Sequence, residues 1–358
     1  MNQHLTDLTA PMSTTESLLA DRTEIAARVF RGPHVEAVHY AAVTVVDQLG
    51  EVTHSLGDPQ LVTMMRSSIK PFQALPLIMS GGIEKFGFDK KQTAILCGSH
   101  NGTDDHVQTV LANLKAAGNR TEDLGCGSHL PIGMQREGTY PSHGEDKDPL
   151  RHNCSGKHSG FLALSKLLGE PVEAYLDPKS RTQSAIRKAL AEACEYPEEK
   201  LIPAIDGCSA PNYPMPISNL ALGFRKFANG EGQTQEMRQA FVRLKEAITA
   251  YPEMVSGEKR FDLHLMRSFP GNIVCKGGAE SLQAIGFSEP KIGIAIKVLD
   301  GGTRALGAIT VEVLRQLGLI PEFSRFPHLQ KYERPEIRNN RNTLTGHIVT
   351  DFKLRRHK

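Results

Sequence analysis

Two runs rich in β-branched residues lie near opposite ends of the chain, with helical periodicity between them, and this arrangement restricts the fold more than any other feature. The first run, Val35-Glu36-Ala37-Val38-His39-Tyr40-Ala41-Ala42-Val43-Thr44-Val45-Val46, ends at Asp47-Gln48-Leu49-Gly50 and resumes at Val52-Thr53-His54-Ser55, a hairpin pattern. The second, Lys291-Ile292-Gly293-Ile294-Ala295-Ile296-Lys297-Val298, leads into Asp300-Gly301-Gly302, whose residues tolerate positive φ, and predicts a second hairpin. Apolar residues recur at helical spacing over 183–194, 235–250 and 305–318, with glycine or proline closing several segments. Strands at both ends with helices between them predict an α+β fold, in which the terminal hairpins pair in one antiparallel sheet and the helical region is an insert. The expected division is a polar leader over 1–33, a main domain over 34–320 and a C-terminal segment over 321–358. The sheet is expected from 34–60 and 270–320.

A chain of 358 residues with 39% hydrophobic and 23% charged residues can bury a large core in one domain or two closely joined ones. Lys and Arg total 42 against 40 Asp and Glu, a net charge of +2, which gives no general attraction to nucleic acid or to an acidic membrane. The basic ending Lys353, Arg355, Arg356, His357, Lys358 reads as a solvated tail. No apolar run reaches the roughly 18 residues of a membrane span, and the first thirty-odd residues lack a secretory hydrophobic segment, so a cytoplasmic location is expected. The six cysteines (Cys97, Cys126, Cys154, Cys194, Cys208, Cys275) are scattered rather than closely spaced, which predicts reduced thiols, some of them available to a metal.

The chemistry begins at Met65-Arg66-Ser67-Ser68-Ile69-Lys70-Pro71. On a helix, Ser67 and Lys70 share a face, so the amine can reach the hydroxyl. A serine becomes a nucleophile only when a base takes its proton, and lysine is that base only when burial or nearby cations lower its pKa. Two further segments follow in order. Ile95-Leu96-Cys97-Gly98-Ser99-His100-Asn101 places Ser-x-Asn at the end of an apolar, strand-like run, and Val274-Cys275-Lys276-Gly277-Gly278 places a lysine where missing side chains admit a ligand. Penicillin-binding proteins and serine β-lactamases carry Ser-x-x-Lys, Ser-x-Asn and Lys-x-Gly in this order, and the chain resembles that arrangement.

A whole family matches more closely. The segments RSSIKPFQ, CGSHNG, HNCSGKHSGFL, AIDGCSAPNYPMP, VCKGGAESL and DGGTRA resemble the lysine-dependent serine L-asparaginases of the thermolabile, rhizobial type, over about residues 35–316. The resemblance implies a serine β-lactamase/glutaminase-like fold, hydrolysis of L-asparagine to L-aspartate and ammonia, and a homodimer. It implies two Ser-Lys pairs, Ser67 with Lys70 and Ser99 with Lys276, and Ser67 as the nucleophile. It also implies zinc held by Cys154, Lys157 and Cys208, a set that the residues alone read as structural thiols. The Gly156-Lys157 step is not a phosphate loop, because Arg151 stands where a glycine is needed and His158 where serine or threonine is.

An amino-acid substrate is a zwitterion, and leaving either charge unpaired in a cleft is costly. Arg66 and Asp206 are the expected partners, His100 and His158 flank the motifs, and Arg260 and Asp262 are expected to border the site. Three other functions share these residues. A glutaminase differs by one methylene, worth only about 1–3 kcal/mol in discrimination. A β-lactam or peptide hydrolase uses the same Ser-Lys chemistry but gives no reason for the Cys154, Lys157, Cys208 set, and the non-enzyme alternative is a zinc-binding scaffold.

Overall fold

The computed structural model describes residues 19–137 and 148–357. In chain order its strands are β1 (Glu24–Arg31), β2 (His34–Val46), β3 (Val52–Leu56), β4 (Val62–Met64), β5 (Ala204–Ile205), β6 (Pro211–Asn212), β7 (Pro214–Pro216), β8 (Ile273–Gly278), β9 (Leu282–Phe287), β10 (Gly293–Val298), β11 (Glu336–Arg338), β12 (Leu344–Thr350) and β13 (Arg355–Arg356). Among the described residues, nine of these form one sheet in the order β11-β12-β1-β2-β10-β9-β8, with β3 on β2 and β13 on β3. All its pairings are antiparallel. The two ends of the chain meet where β10 pairs with β2, Ala295 opposite Thr44 and Ile296 opposite Val43, and the helices between them form the insert.

The expected first hairpin is β2–β3. The second differs from its expected form. β10 turns back on β9 through residues 288–292, while Asp300-Gly301-Gly302 leads into the helix Leu306–Gln316. The polar 1–33 segment also departs from the expectation of a leader from Leu19 onward, because β1 pairs with both β2 and β12. Its alternation of buried Ala27 and Val29 with charged Arg28 is strand-like, though it is masked by the surrounding polar residues. Residues 1–18 lie outside the described residues. The C-terminal segment likewise supplies β11, β12 and β13.

β9 and β10 are buried at every residue, so both faces of the sheet centre are covered. The helix Ile217–Asn229 packs on β2, β9 and β10, and the helix Leu306–Gln316 packs on β1, β9 and β12. Glycine sets the first of these approaches. A Cβ on Gly286 would lie 2.0 Å from Phe224 O, and one on Gly293 would lie 1.9 Å from Ala221 O. Phe72, on the helix Lys70–Met79, meets Phe224 edge-on at 5.3 Å and packs against Phe227 and Phe241. These contacts fix the helix that follows Ser67 against the sheet's covering helix. Among the described residues no helix is long and apolar enough to cross a membrane.

Candidate active site

Ser67 stands in the 3-10 turn Arg66–Ile69, which runs directly into the helix Lys70–Met79, with Pro71 in its first turn where a missing N–H costs nothing. Arg66 takes a φ of 50°, an uncommon conformation for a residue with a Cβ and one that clusters at functional sites. Its amide donates to Asn212 Oδ1 at 2.9 Å, which helps hold it there. Of the two adjacent serines, Ser68 is buried and donates to Met65 O at 2.6 Å, whereas Ser67 lines a cavity of about 380 Å³.

Ser99 lines the same cavity. Its segment is not the strand-like run expected. Asp89 caps a helix, Lys90–Ile95, through a reciprocal capping box with Gln92, and the apolar Ala94 and Ile95 form its last turn. The chain then turns so that Gly98 packs under Met254 O and Ser99 N donates to Val255 O at 2.8 Å. Lys70 reaches this turn from below. The residue is 1% exposed, and its Nζ donates to Gly98 O, to Ser99 Oγ at 2.8 Å and to Cys154 Sγ at 3.2 Å. Those three contacts surround the amine. The hydroxyl hydrogen-bonded to Lys70 is therefore that of Ser99, and among the described residues no hydrogen bond joins the amine to Ser67.

Lys276 lies in β8, inside the sheet edge rather than in a turn, and is 1% exposed. It donates to Gly277 O at 2.7 Å and sits 3.6 Å from Asp262 Oδ2. Burial drives its pKa down to about 8; Asp262 opposes that, and the charges of Lys70 and Arg260 add to it. Asp262 is itself buried, accepting from Gly277 N at 3.0 Å and from Gln283 Nε2 at 3.0 Å. The two lysines are thus electrostatic neighbours, but no hydrogen bond joins Lys276 to Ser99 among the described residues. Gln283, Arg304 and Tyr332 also line the cavity and were not singled out in the sequence. DGGTRA contained Arg304 without a reason to choose it, and Tyr332 lies in the C-terminal segment outside every motif.

Arg66 and Asp206 are together, but as partners of each other. The guanidinium lies 2.9 Å from Asp206 Oδ1 and 3.8 Å from Glu280 Oε1. Burial pushes the Asp206 carboxyl up, and the Arg66 hydrogen bond and charge more than reverse this, holding it below its ordinary value. His100 is fully buried, with Nε2 2.9 Å from Ser155 Oγ, Nδ1 accepting from Gly102 N at 3.2 Å, and its ring stacked on His106 at 4.8 Å. Burial first, then the neighbouring His106 and Lys70, keep this imidazole neutral. It braces the loop that carries Ser99.

The third cluster joins Cys154, Lys157 and Cys208, all buried. Cys154 precedes the helix Ser155–Leu167, which brings Lys157 one turn further on, and Lys157 Nζ donates to Cys208 Sγ at 3.1 Å. Contact with Cys208 holds the Cys154 thiol well below its ordinary pKa, against burial, and the two lysines assist. His158 Nε2 is buried without a hydrogen-bond partner, while Nδ1 is held by Tyr175 Oη at 2.8 Å. Two thiols and an amine beside an orphaned imidazole nitrogen are chemically suited to zinc, provided each of the three ligands has lost its proton on binding. Without Lys157 the set falls short, since among the described residues no three His, Cys, Asp or Glu side chains form a metal-holding group.

Comparison with solved structures finds a candidate beta-lactamase from Bacteroides dorei DSM 17855, with 10% identity and a TM-score of 0.38, covering 77% of this chain and 93% of that one. It also finds the octameric penicillin-binding protein homologue from Pyrococcus abyssi, with 13% identity and a TM-score of 0.33, covering 85% of this chain and 80% of that one. No curated protein matches the chain. The model of the L-asparaginase II family matches residues 27–350, which include both serines, both lysines and the Cys154–Cys208 cluster, and the chain belongs to that family of amidohydrolases.

Proposed function

We propose that this L-asparaginase works by acyl transfer through Ser67, with Lys70, Ser99 and Lys276 moving the protons. One observation carries the reading: residues from three separate segments converge on one cavity, with Ser67 and Ser99 at its wall and both amines out of bulk water behind them. Ser67 Oγ attacks the side-chain carboxamide carbon of L-asparagine, and its proton passes to Lys70, which as a neutral amine gives up one of its three donor contacts and turns its lone pair to that hydroxyl. Backbone N–H groups at the turn stabilise the oxyanion. The C–N bond then breaks, and the nitrogen leaves as ammonia with a proton delivered through Ser99. Lys276, with a pKa near 8, supplies an amine that exchanges protons with that hydroxyl close to neutral pH. Water attacks the resulting ester, and the same groups in reverse release L-aspartate and restore Ser67.

A second reading exchanges the serines, and it is favoured by the 2.8 Å contact between Lys70 and Ser99. Intact-protein mass spectrometry after rapid quenching separates the two. Ser67→Ala is expected to abolish the acyl adduct, while Ser99→Ala slows turnover and retains it. The opposite pattern would make Ser99 the nucleophile.

In this reading Arg66, Asp206 and His100 support substrate binding from behind the cavity wall, the Arg66–Asp206 pair beside Ser67 and His100 through Ser155 and the Ser99 loop. Cys154, Lys157 and Cys208 would hold zinc, which when bound acts as a Lewis acid and shapes the pocket. The thermolabile, rhizobial type, a homodimer and cytoplasmic action belong to the same proposal, the last supported by six cysteines that are all free.

A further inference from the structure

A zwitterionic substrate needs a cation for its α-carboxylate, and the one expected from sequence, Arg66, is already committed to Asp206 at 2.9 Å. The cavity offers three others: Lys259, Arg260 and Arg304. Arg260 gives Nη1 to Asn101 Oδ1 at 3.3 Å, and Lys259 carries a point charge on a flexible stem. Arg304 differs from both, because it is held from behind. Its Nε donates to Nε2 of His39, a 2% exposed imidazole in β2, at 2.9 Å. His39 Nδ1 in turn lies 2.7 Å from Asp300 Oδ2. Asp300 also shapes the turn that delivers Arg304, accepting from Gly302 N at 2.8 Å, while Ser281 Oγ donates to Gly302 O at 3.0 Å.

With Nε engaged, the two Nη groups form the planar fork that suits a carboxylate. Among the described residues no acidic side chain lies within ion-pair distance of it. Glu36, which feels its charge, is paired with Arg31 at 2.8 Å. We propose that Arg304, set by His39 and Asp300, is the residue that anchors the substrate's α-carboxylate. This rests on the asparaginase reading of the cavity and supplies its specificity for an α-amino acid amide over a simple amide.

The test compares wild type, Arg304→Met and Arg304→Lys, in steady-state kinetics on L-asparagine and in calorimetric binding of L-aspartate and of β-alanine, which lacks the α-carboxylate. Arg304→Met is expected to raise KM for L-asparagine and to weaken L-aspartate binding by about 10- to 100-fold, the range for a charged hydrogen-bonded contact. kcat changes far less, β-alanine binding keeps its wild-type strength, and Arg304→Lys recovers part of the loss. An active enzyme whose KM and L-aspartate affinity ignore Arg304→Met overturns the proposal and leaves the asparaginase reading standing. So does an equal loss for L-aspartate and β-alanine. Protein that binds L-aspartate through Arg304 but releases no ammonia from L-asparagine has the converse meaning: the carboxylate site stands and the asparaginase reading falls. Absence of both turnover and L-aspartate binding overturns both.

Discussion

Asp262→Asn removes one negative charge from beside Lys276 while keeping an oxygen that can accept from Gly277 N, and a flip of the Gln283 amide lets its oxygen accept from the new NH2, so the main effect is electrostatic. The Asp262 carboxylate lies 3.6 Å from Lys276 Nζ, and both groups are almost fully buried. Coulomb's law at that separation with an effective dielectric of about 20 gives roughly 4–5 kcal/mol, or about three pH units. Water entering the cavity reduces this, so roughly two to three units is the working magnitude. The sign follows from the charges. The carboxylate favours the ammonium, and its loss lets burial, Lys70 and Arg260 depress the lysine further below its present value of about 8. If turnover needs Lys276 as a neutral amine, kcat/KM of the wild type rises with pH through a limb near 8. In Asp262→Asn the same limb moves acidward by about two to three units. The assay is ammonia release from L-asparagine between pH 4 and 10, with circular dichroism at each end to confirm the fold. A limb that stays near pH 8 in the variant, or moves to higher pH, refutes the assignment of that limb to Lys276.

Two further outcomes follow from close packing and from the thiol cluster. Gly286→Ala puts a Cβ 2.0 Å from Phe224 O, so the helix Ile217–Asn229 must move off the sheet, and stability falls by about 3 kcal/mol. Urea unfolding reads this as a lower midpoint at unchanged slope; a midpoint within error of wild type would show that the helix adjusts freely. Cys208→Ser and Lys157→Met each remove one of three donors, and after incubation with zinc and desalting, emission spectrometry is expected to find metal in the wild type and little in either variant. Equal zinc in all three would place the metal elsewhere or nowhere.

The fold class was legible because hydrophobic pattern is local. The runs at 35–46 and 291–298 read as strands from their β-branched residues, and the 3.6-residue spacing over 183–194 and 235–250 reads as helix. Turn partners were not local in the same way. Asp300-Gly301-Gly302 has hairpin composition but serves a helix, and β1 was hidden because Glu24, Arg28 and Arg31 interrupt its apolar residues and the alternation is short. The same division runs through the site. Spacing identified Ser67, Lys70, Ser99 and Lys276 as chemistry-bearing, since Ser-x-x-Lys, Ser-x-Asn and Lys-x-Gly are short patterns a reader can find. Which hydroxyl meets which amine depends on where the Lys90–Ile95 helix ends and how deep β8 sits, and tertiary packing alone gave Lys70 to Ser99. Charge assignments shifted for the same reason. Arg66 and Asp206 are 140 residues apart and each looked free to take a substrate charge until the fold joined them. Arg304 acquired a role only when β2 brought His39 behind it, because a side chain's freedom to bind is decided by what it already touches.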